Sequence, residues 1–267
     1  MKSVFNTMPA FAVPEEVPSK GGLSWAELGL LLAGLLVIAV AVLGPFVPQM
    51  AHYHGFADQR NLWGVPQAMD VLSNLPFAVA GVWGLLALHG TGGKLQRQWQ
   101  GLAGLFFIGL IVTAICSSTY HLDPDPSTLA LDRLGMVLAF AGLLGLAVAE
   151  RISTRAGVQL AVAVLIAGPL SIMVWANSGN LLPWVILQGG GLLLLVALMA
   201  CKPKNGAWGL QVAGVVTCYA IAKLFEMSDH FVFDLTNGGV SGHSLKHVVA
   251  ACAAWPVIGF VHNIKKA

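Results

Sequence analysis

Ser117, His121 and Asp132 stand in the order Ser-x3-His-x10-Asp, and His243 and His247 follow more than a hundred residues later as His-x3-His. Three imidazoles, a carboxylate and a hydroxyl are the donor types of a catalytic zinc site, which keeps one coordination position open for water. On a helix, residues i and i+4 share a face, so His243 and His247 can point at one cation. The same pair could instead hydrogen-bond inside a helical bundle. A haem fits less well, because its two axial histidines approach from opposite faces. A carboxylate such as Asp132 beside a metal-activated water suits a general base. Its alternative partner, Arg133, is adjacent on the helix and so points elsewhere. The Ser117 hydroxyl could donate to a developing oxyanion, or simply bond a backbone carbonyl as membrane serines do.

The elements that must deliver these residues are apolar. The chain of 267 residues is 57% hydrophobic and 10% charged, with mean hydropathy +0.76. That composition excludes an ordinary soluble domain and predicts an all-α polytopic transmembrane bundle. A membrane helix needs about twenty apolar residues, and eight stretches qualify: 28–47, 67–88, 99–118, 128–149, 157–175, 181–200, 207–228 and 242–261. Unbroken runs of this length argue against a β-barrel, whose strands alternate over about ten residues. The predicted organisation is a polar cytoplasmic tail over 1–27, an additional N-terminal helix over 28–47, and a seven-helix core over 67–262. The first run is too long and too far from the start for a secretory signal.

Charge placement orients the bundle. Ten of the fourteen basic residues (Lys2, Lys20, Lys94, Arg97, Arg151, Arg155, Lys202, Lys204, Lys265 and Lys266) fall on one side of eight helices. Arg60 is alone on the other, and Arg133, Lys223 and Lys246 lie within helices. The positive-inside rule then places both termini in the cytoplasm. On that topology Ser117, His121, Asp132, His243 and His247 meet near the non-cytoplasmic leaflet, with His121 just past the end of its helix. Buried ionisable groups in lipid are costly, so a convergent set marks a functional site.

Other polar residues have simpler expectations. Lys223, Glu226 and Asp229 share a helix face and predict an ion-pair network, or contact with the site or a headgroup. Asp70, Ser73 and Asn74 predict interhelical hydrogen bonds. His52, His54, His89 and His262 are loop or interfacial residues that need no metal. Gly101, Gly104 and Gly189–Gly191 predict close helix packing. Cys116, Cys201, Cys218 and Cys252 lack close spacing and read as small apolar residues.

Taken together, Ser117-x3-His121, Asp132 and His243-x3-His247 resemble the signature of the alkaline ceramidases, part of a superfamily of seven-helix membrane hydrolases that includes the progestin/adiponectin receptors. The segment Asp70-Val71-Leu72-Ser73-Asn74-Leu75-Pro76-Phe77 resembles the family's first core helix. The likeness runs from Asp58 to about Val261. It implies that His121, His243 and His247 hold Zn2+, that Asp132 activates water, and that Ser117 assists at the carbonyl. The implied reaction is hydrolysis of the amide of ceramide or a related N-acyl lipid. Eukaryotic members bind Ca2+ through an acidic cluster before the first core helix. Here that region offers only Asp58, Asn61 and Asp70, with Gln67 near the helix start, which speaks against Ca2+ and against carrying ceramide over directly.

The expected function is therefore a zinc-dependent membrane amidohydrolase, of bacterial inner-membrane type. Its expected partners are membrane lipids and a lipid amide, with no nucleic acid; oligomeric state leaves no mark in the sequence. Two other classes share these features: a lipid receptor or sensor with a structural zinc, and a proton or metal transporter. The second usually places its site at the midplane on interrupted, repeated helices.

Overall fold

A computed structural model describes residues 22–203 and 209–266, apart from the side chains of Lys265 and Lys266. Most of the polar tail, with Lys2 and Lys20, lies outside the described residues, as do Lys204 and the start of the 207–228 stretch. Among the described residues the named elements are all helical: α1 (Trp25–Leu43), α2 (Ala68–Leu72), α3 (Leu75–His89), α4 (Arg97–Leu122), α5 (Pro126–Arg151), α6 (Thr154–Ser178), α7 (Leu182–Met199), α8 (Val212–Met227), α9 (Asp229–Leu235), α10 (Gly242–Cys252) and α11 (Trp255–Lys266). Seven helices, counting α2 with α3 and α10 with α11 as one each, are long and apolar enough to cross a membrane. The 16-residue α8 falls short of that length by itself and is followed, across Ser228, by α9. The molecule is thus an all-α bundle with the character of a membrane protein.

Several predicted helices are broken or shifted, for local reasons. The run over 67–88 divides at Ser73 and Asn74, whose side chains both bond back to the Asp70 carbonyl at 2.9 Å. Such back-bonding competes with the helical ladder, and Pro76 removes a donor just inside α3. The last span divides at Ala253, just before Pro256 in α11. α4 continues to Leu122, so His121 sits inside its last turn rather than beyond it.

Packing is tightest along α4, α5 and α6. An added Cβ at Gly109 of α4 would stand 2.5 Å from Ala139 Cα, and one at Gly142 of α5 would stand 2.7 Å from Phe106 Cα. Glycine removes that obstacle and lets the backbones approach closely. The predicted glycines differ. Gly191 does fit against Phe140 and Gly190 faces Val37, but Gly101 and Gly189 meet nothing within 4 Å and Gly104 only Leu88 at 3.8 Å. An apolar helix tolerates glycine on its outer face as well, so composition alone does not separate the two cases.

α1 is peripheral. None of its residues is buried, and it contacts α7. Ser24 and Glu27 form a capping box at its start, and Glu27 also accepts from Ser153 at 2.7 Å and pairs with Arg155 at 3.0 Å. These contacts tie α1 to the beginning of α6.

Candidate metal centre

Three helix ends meet at one end of the bundle: the C-terminus of α4 and the N-termini of α5 and α10. α4 supplies Ser117 and His121, four residues apart on one face; α5 supplies Asp132; α10 supplies His243 and His247. The sequence-predicted residues therefore converge. His121, His243 and His247 are buried, and one ring nitrogen from each lies within 4.8 Å of the others. The Nε2 atoms of His121 and His243 are 3.2 Å apart. Two nitrogens on one tetrahedral ion, each at about 2.0–2.1 Å, would be separated by about 3.3 Å. The three imidazoles thus form a group that could hold a metal ion.

The start of α10 is held by side chains from three places. Ser241 accepts the Ser244 N–H at 2.9 Å as the N-cap, and Asp229 accepts the His243 N–H at 2.7 Å. Together they satisfy two of the backbone donors that a helix N-terminus leaves free. The other Asp229 oxygen accepts the Ala57 N–H at 2.9 Å, stitching the 48–66 loop to the site. Asp229 is therefore a backbone clamp rather than a member of the ion-pair network expected from its helix face. In that network Glu226 pairs with Lys223 and, at 2.9 Å, with Lys246 of α10.

The predicted interhelical role is realised for Asp70 and Ser73, and it reaches a histidine; Asn74 instead bonds back to the Asp70 carbonyl. Ser73 Oγ lies 2.7 Å from His247 Nδ1. Asp70, fully buried, accepts from the Ser244 hydroxyl at 2.6 Å and the Ser241 hydroxyl at 3.1 Å. Phe56, from the 48–66 loop, closes one side: its ring centroid is 4.8 Å from that of His121 and 4.3 Å from that of His243. Nothing in the spacing of an isolated loop phenylalanine marks it for this place.

Above the histidines the same loop carries its own polar order. His54 Nδ1 meets the Tyr120 hydroxyl at 2.9 Å. Burial pushes the His54 imidazole below its usual value, with Asp125 opposing and Arg133 reinforcing the shift. Asp58 is fully buried, which disfavours its charge, yet the Arg60 side chain and backbone N–H hold its carboxyl below the ordinary value. Arg60 closes a bidentate pair with Asp58 at 2.7 and 2.6 Å.

A cavity of about 140 Å³ opens beside the histidines, enclosed by α3, α4, α5, α7, α8 and α10. His247, Ser117 and Asp132 line it together with Lys223, Glu226 and Lys246. Arg133 does not pair with Asp132. It bonds Gln49 at 2.6 Å and stacks over Trp175, 4.2 Å from the ring centre.

Comparison with family models gives no match, and comparison with curated protein sequences gives none either.

Proposed function

We propose that the protein is a zinc-dependent membrane amidohydrolase of the alkaline ceramidase type, cleaving the amide of an N-acyl lipid. The observation that carries this reading is the meeting of three histidine nitrogens, one of them from His247 in the wall of a cavity that Asp132 and Ser117 also line. His121, His243 and His247 would hold the ion, and an all-imidazole set of three with one side open suits zinc. Bound there, zinc would supply Lewis acidity, polarising a carbonyl and making water a nucleophile near neutral pH. A purely structural zinc is usually closed by a fourth protein ligand, and the open cavity beside His247 favours catalysis.

The chain's own groups have separate tasks. Asp132 takes the proton of the attacking water and returns one to the departing nitrogen. Ser117 donates to the amide oxygen as negative charge gathers there. The carbon–nitrogen bond breaks as the carbon–oxygen bond forms, leaving a fatty acid and an amine. Phe77, Met136, Ala222 and Ala250 give the cavity apolar walls for the acyl chain. In the membrane, α8 with α9 would make the eighth span, both termini would face the cytoplasm, and the site would lie near the opposite leaflet.

Purified protein should carry about one zinc per chain and release fatty acid from at least one N-acyl lipid. His247→Ala should lose both. Full hydrolysis by metal-free protein would refute the proposal. Saturable lipid binding with zinc present, but without product from any amide, would make the protein a receptor instead.

A further inference from the structure

Arg133 lines the cavity and, unlike Lys223, Lys246 and Glu226, has no ion-pair partner among the described residues. It is 3% exposed, and only one of its three nitrogens has a good protein acceptor: Nη2 donates to Gln49. Nε and Nη1 are buried and without a hydrogen-bond partner. The Tyr53 phenol sits beside the guanidinium, 5.7 Å from ring centre to Cζ, without closing a well-formed bond to either nitrogen. Trp175 and Trp184 flank it further, at 4.2 and 5.8 Å. Leaving charged donors unpaired in a low-dielectric interior is expensive. A planar guanidinium fixed by aromatic rings, with two unpartnered nitrogens on a side chain that lines a cavity, is suited to receive an oxyanion.

The charge balance of the cavity agrees. Lys223 and Lys246 share Glu226, and Asp132 offsets one further cation, so with Arg133 the lining carries one uncompensated positive charge before any metal is counted. An anionic ligand would offset that excess, which the proposed metal would raise further. Arg133 and Asp132 line the same cavity, so an anion on Arg133 would share it with the proposed cleavage point.

From this we infer that Arg133 binds a single oxyanion, a carboxylate or a sulfonate, on the amine half of the lipid amide, so that the preferred substrate is an anionic N-acyl amino-acid-like lipid and not a neutral ceramide. This rests on the amidohydrolase reading and deepens it. The products would be a fatty acid and an amine that keeps its oxyanion.

The test compares four lipids with a common acyl chain in detergent or nanodiscs: N-acylglycine, N-acyltaurine, N-acylethanolamine and ceramide. Wild-type kcat/KM should be at least about tenfold higher for a lipid with an acidic headgroup than for either neutral lipid, the scale of one charge-assisted hydrogen bond. Glycine against taurine separates carboxylate from sulfonate. Arg133→Gln should reduce the acidic-over-neutral ratio to near one, and Arg133→Lys, which keeps charge but loses the fork, should fall between. Equal or higher kcat/KM for the neutral lipids in wild-type protein overturns the inference while leaving the hydrolase intact, and needs no variant to fold. The dissociation constants of the same lipids, measured on His247→Ala protein, give a second readout. A preference there without any turnover by wild type would support Arg133 recognition and overturn the hydrolase. The absence of a preference in both readouts overturns Arg133 recognition.

Discussion

The hydroxyl of Ser73 decides which nitrogen His247 presents to the other two histidines. Ser73 Oγ lies 2.9 Å from the Asp70 carbonyl, which can only accept, and 2.7 Å from His247 Nδ1. A hydroxyl has one proton. With that proton given to the carbonyl, the Ser73 oxygen accepts from Nδ1–H, and the lone pair of His247 resides on Nε2. The break between α2 and α3 thus sets a tautomer on α10.

Ser73→Ala should therefore weaken metal binding without removing a ligand. Losing the partner of a metal-bound imidazole typically costs about 10–100-fold in affinity. Competition with a chromophoric zinc chelator measures this directly, and an unchanged affinity would contradict the role given to Ser73.

The glycine contacts make a prediction about stability. An added side chain at Gly109 meets backbone, with Ala139 Cα at 2.5 Å and the Leu138 carbonyl carbon at 2.7 Å, and backbone cannot swing aside. Gly109→Val should cost about 1–3 kcal/mol or more through overpacking. Gly101→Val, eight residues earlier in the same helix and with nothing within 4 Å of the added Cβ, should stay within about 0.5 kcal/mol. Thermal unfolding of the two variants in one detergent gives the comparison.

The sequence carried the histidines well and their supports badly. His243 and His247 share a helix face by period alone, and the distribution of Lys and Arg predicts the same end of the bundle for His121 and Asp132. Phe56, Asp229 and Ser241 act through contacts across 65 to 172 positions of sequence, such as Asp229 with Ala57. No local pattern encodes those pairings. Asp229 is a case of the same kind: its helical spacing from Lys223 and Glu226 predicts an ion-pair network or a contact with the site, and because the chain breaks at Ser228 it makes the second, at α10. The functional glycines were equally hard to select, because Gly109 and Gly101 sit in similar apolar runs.

Glu226 holds two lysines that otherwise face one another across the cavity. Glu226→Gln should destabilise the protein by about 2 kcal/mol, less than the 3–5 kcal/mol for breaking a fully buried pair, because 26% of the side chain remains exposed. Adding Lys246→Met should recover part of that loss. A double-mutant cycle on unfolding midpoints reads the coupling, and strict additivity would show that the pair contributes nothing.

Outside the helices, acid should loosen the α4–α5 turn. The Ser127 hydroxyl and the backbone N–H groups of Thr128 and Ser127 hold the Asp125 carboxyl down at about 2. A carboxyl depressed in the folded state adds stability that is fully present above its unfolded value, about 3.9, and is lost as pH falls through the folded one. The loss should therefore run from about pH 4 to about pH 2. Asp125→Asn keeps an N-cap acceptor but cannot titrate. Its unfolding temperature should change less than that of wild type across this window, and parallel curves would exclude Asp125 as the source.

Asp132 and Ser117 separate proton transfer from metal binding. Neither belongs to the three-histidine group, yet both line the cavity beside His247. Asp132→Asn should keep the zinc content of wild type while kcat falls about 10²–10⁴-fold, the range for removing a general base. Ser117→Ala should lower kcat about 10²-fold or somewhat more, as loss of one oxyanion donor does. Because both groups line one cavity and act on one step, the double variant should fall short of the product of the two single losses. Fatty-acid release under saturating lipid, with metal content measured on the same samples, distinguishes these cases. Loss of zinc in Asp132→Asn would instead make Asp132 a ligand, and undiminished turnover would remove it from the chemistry.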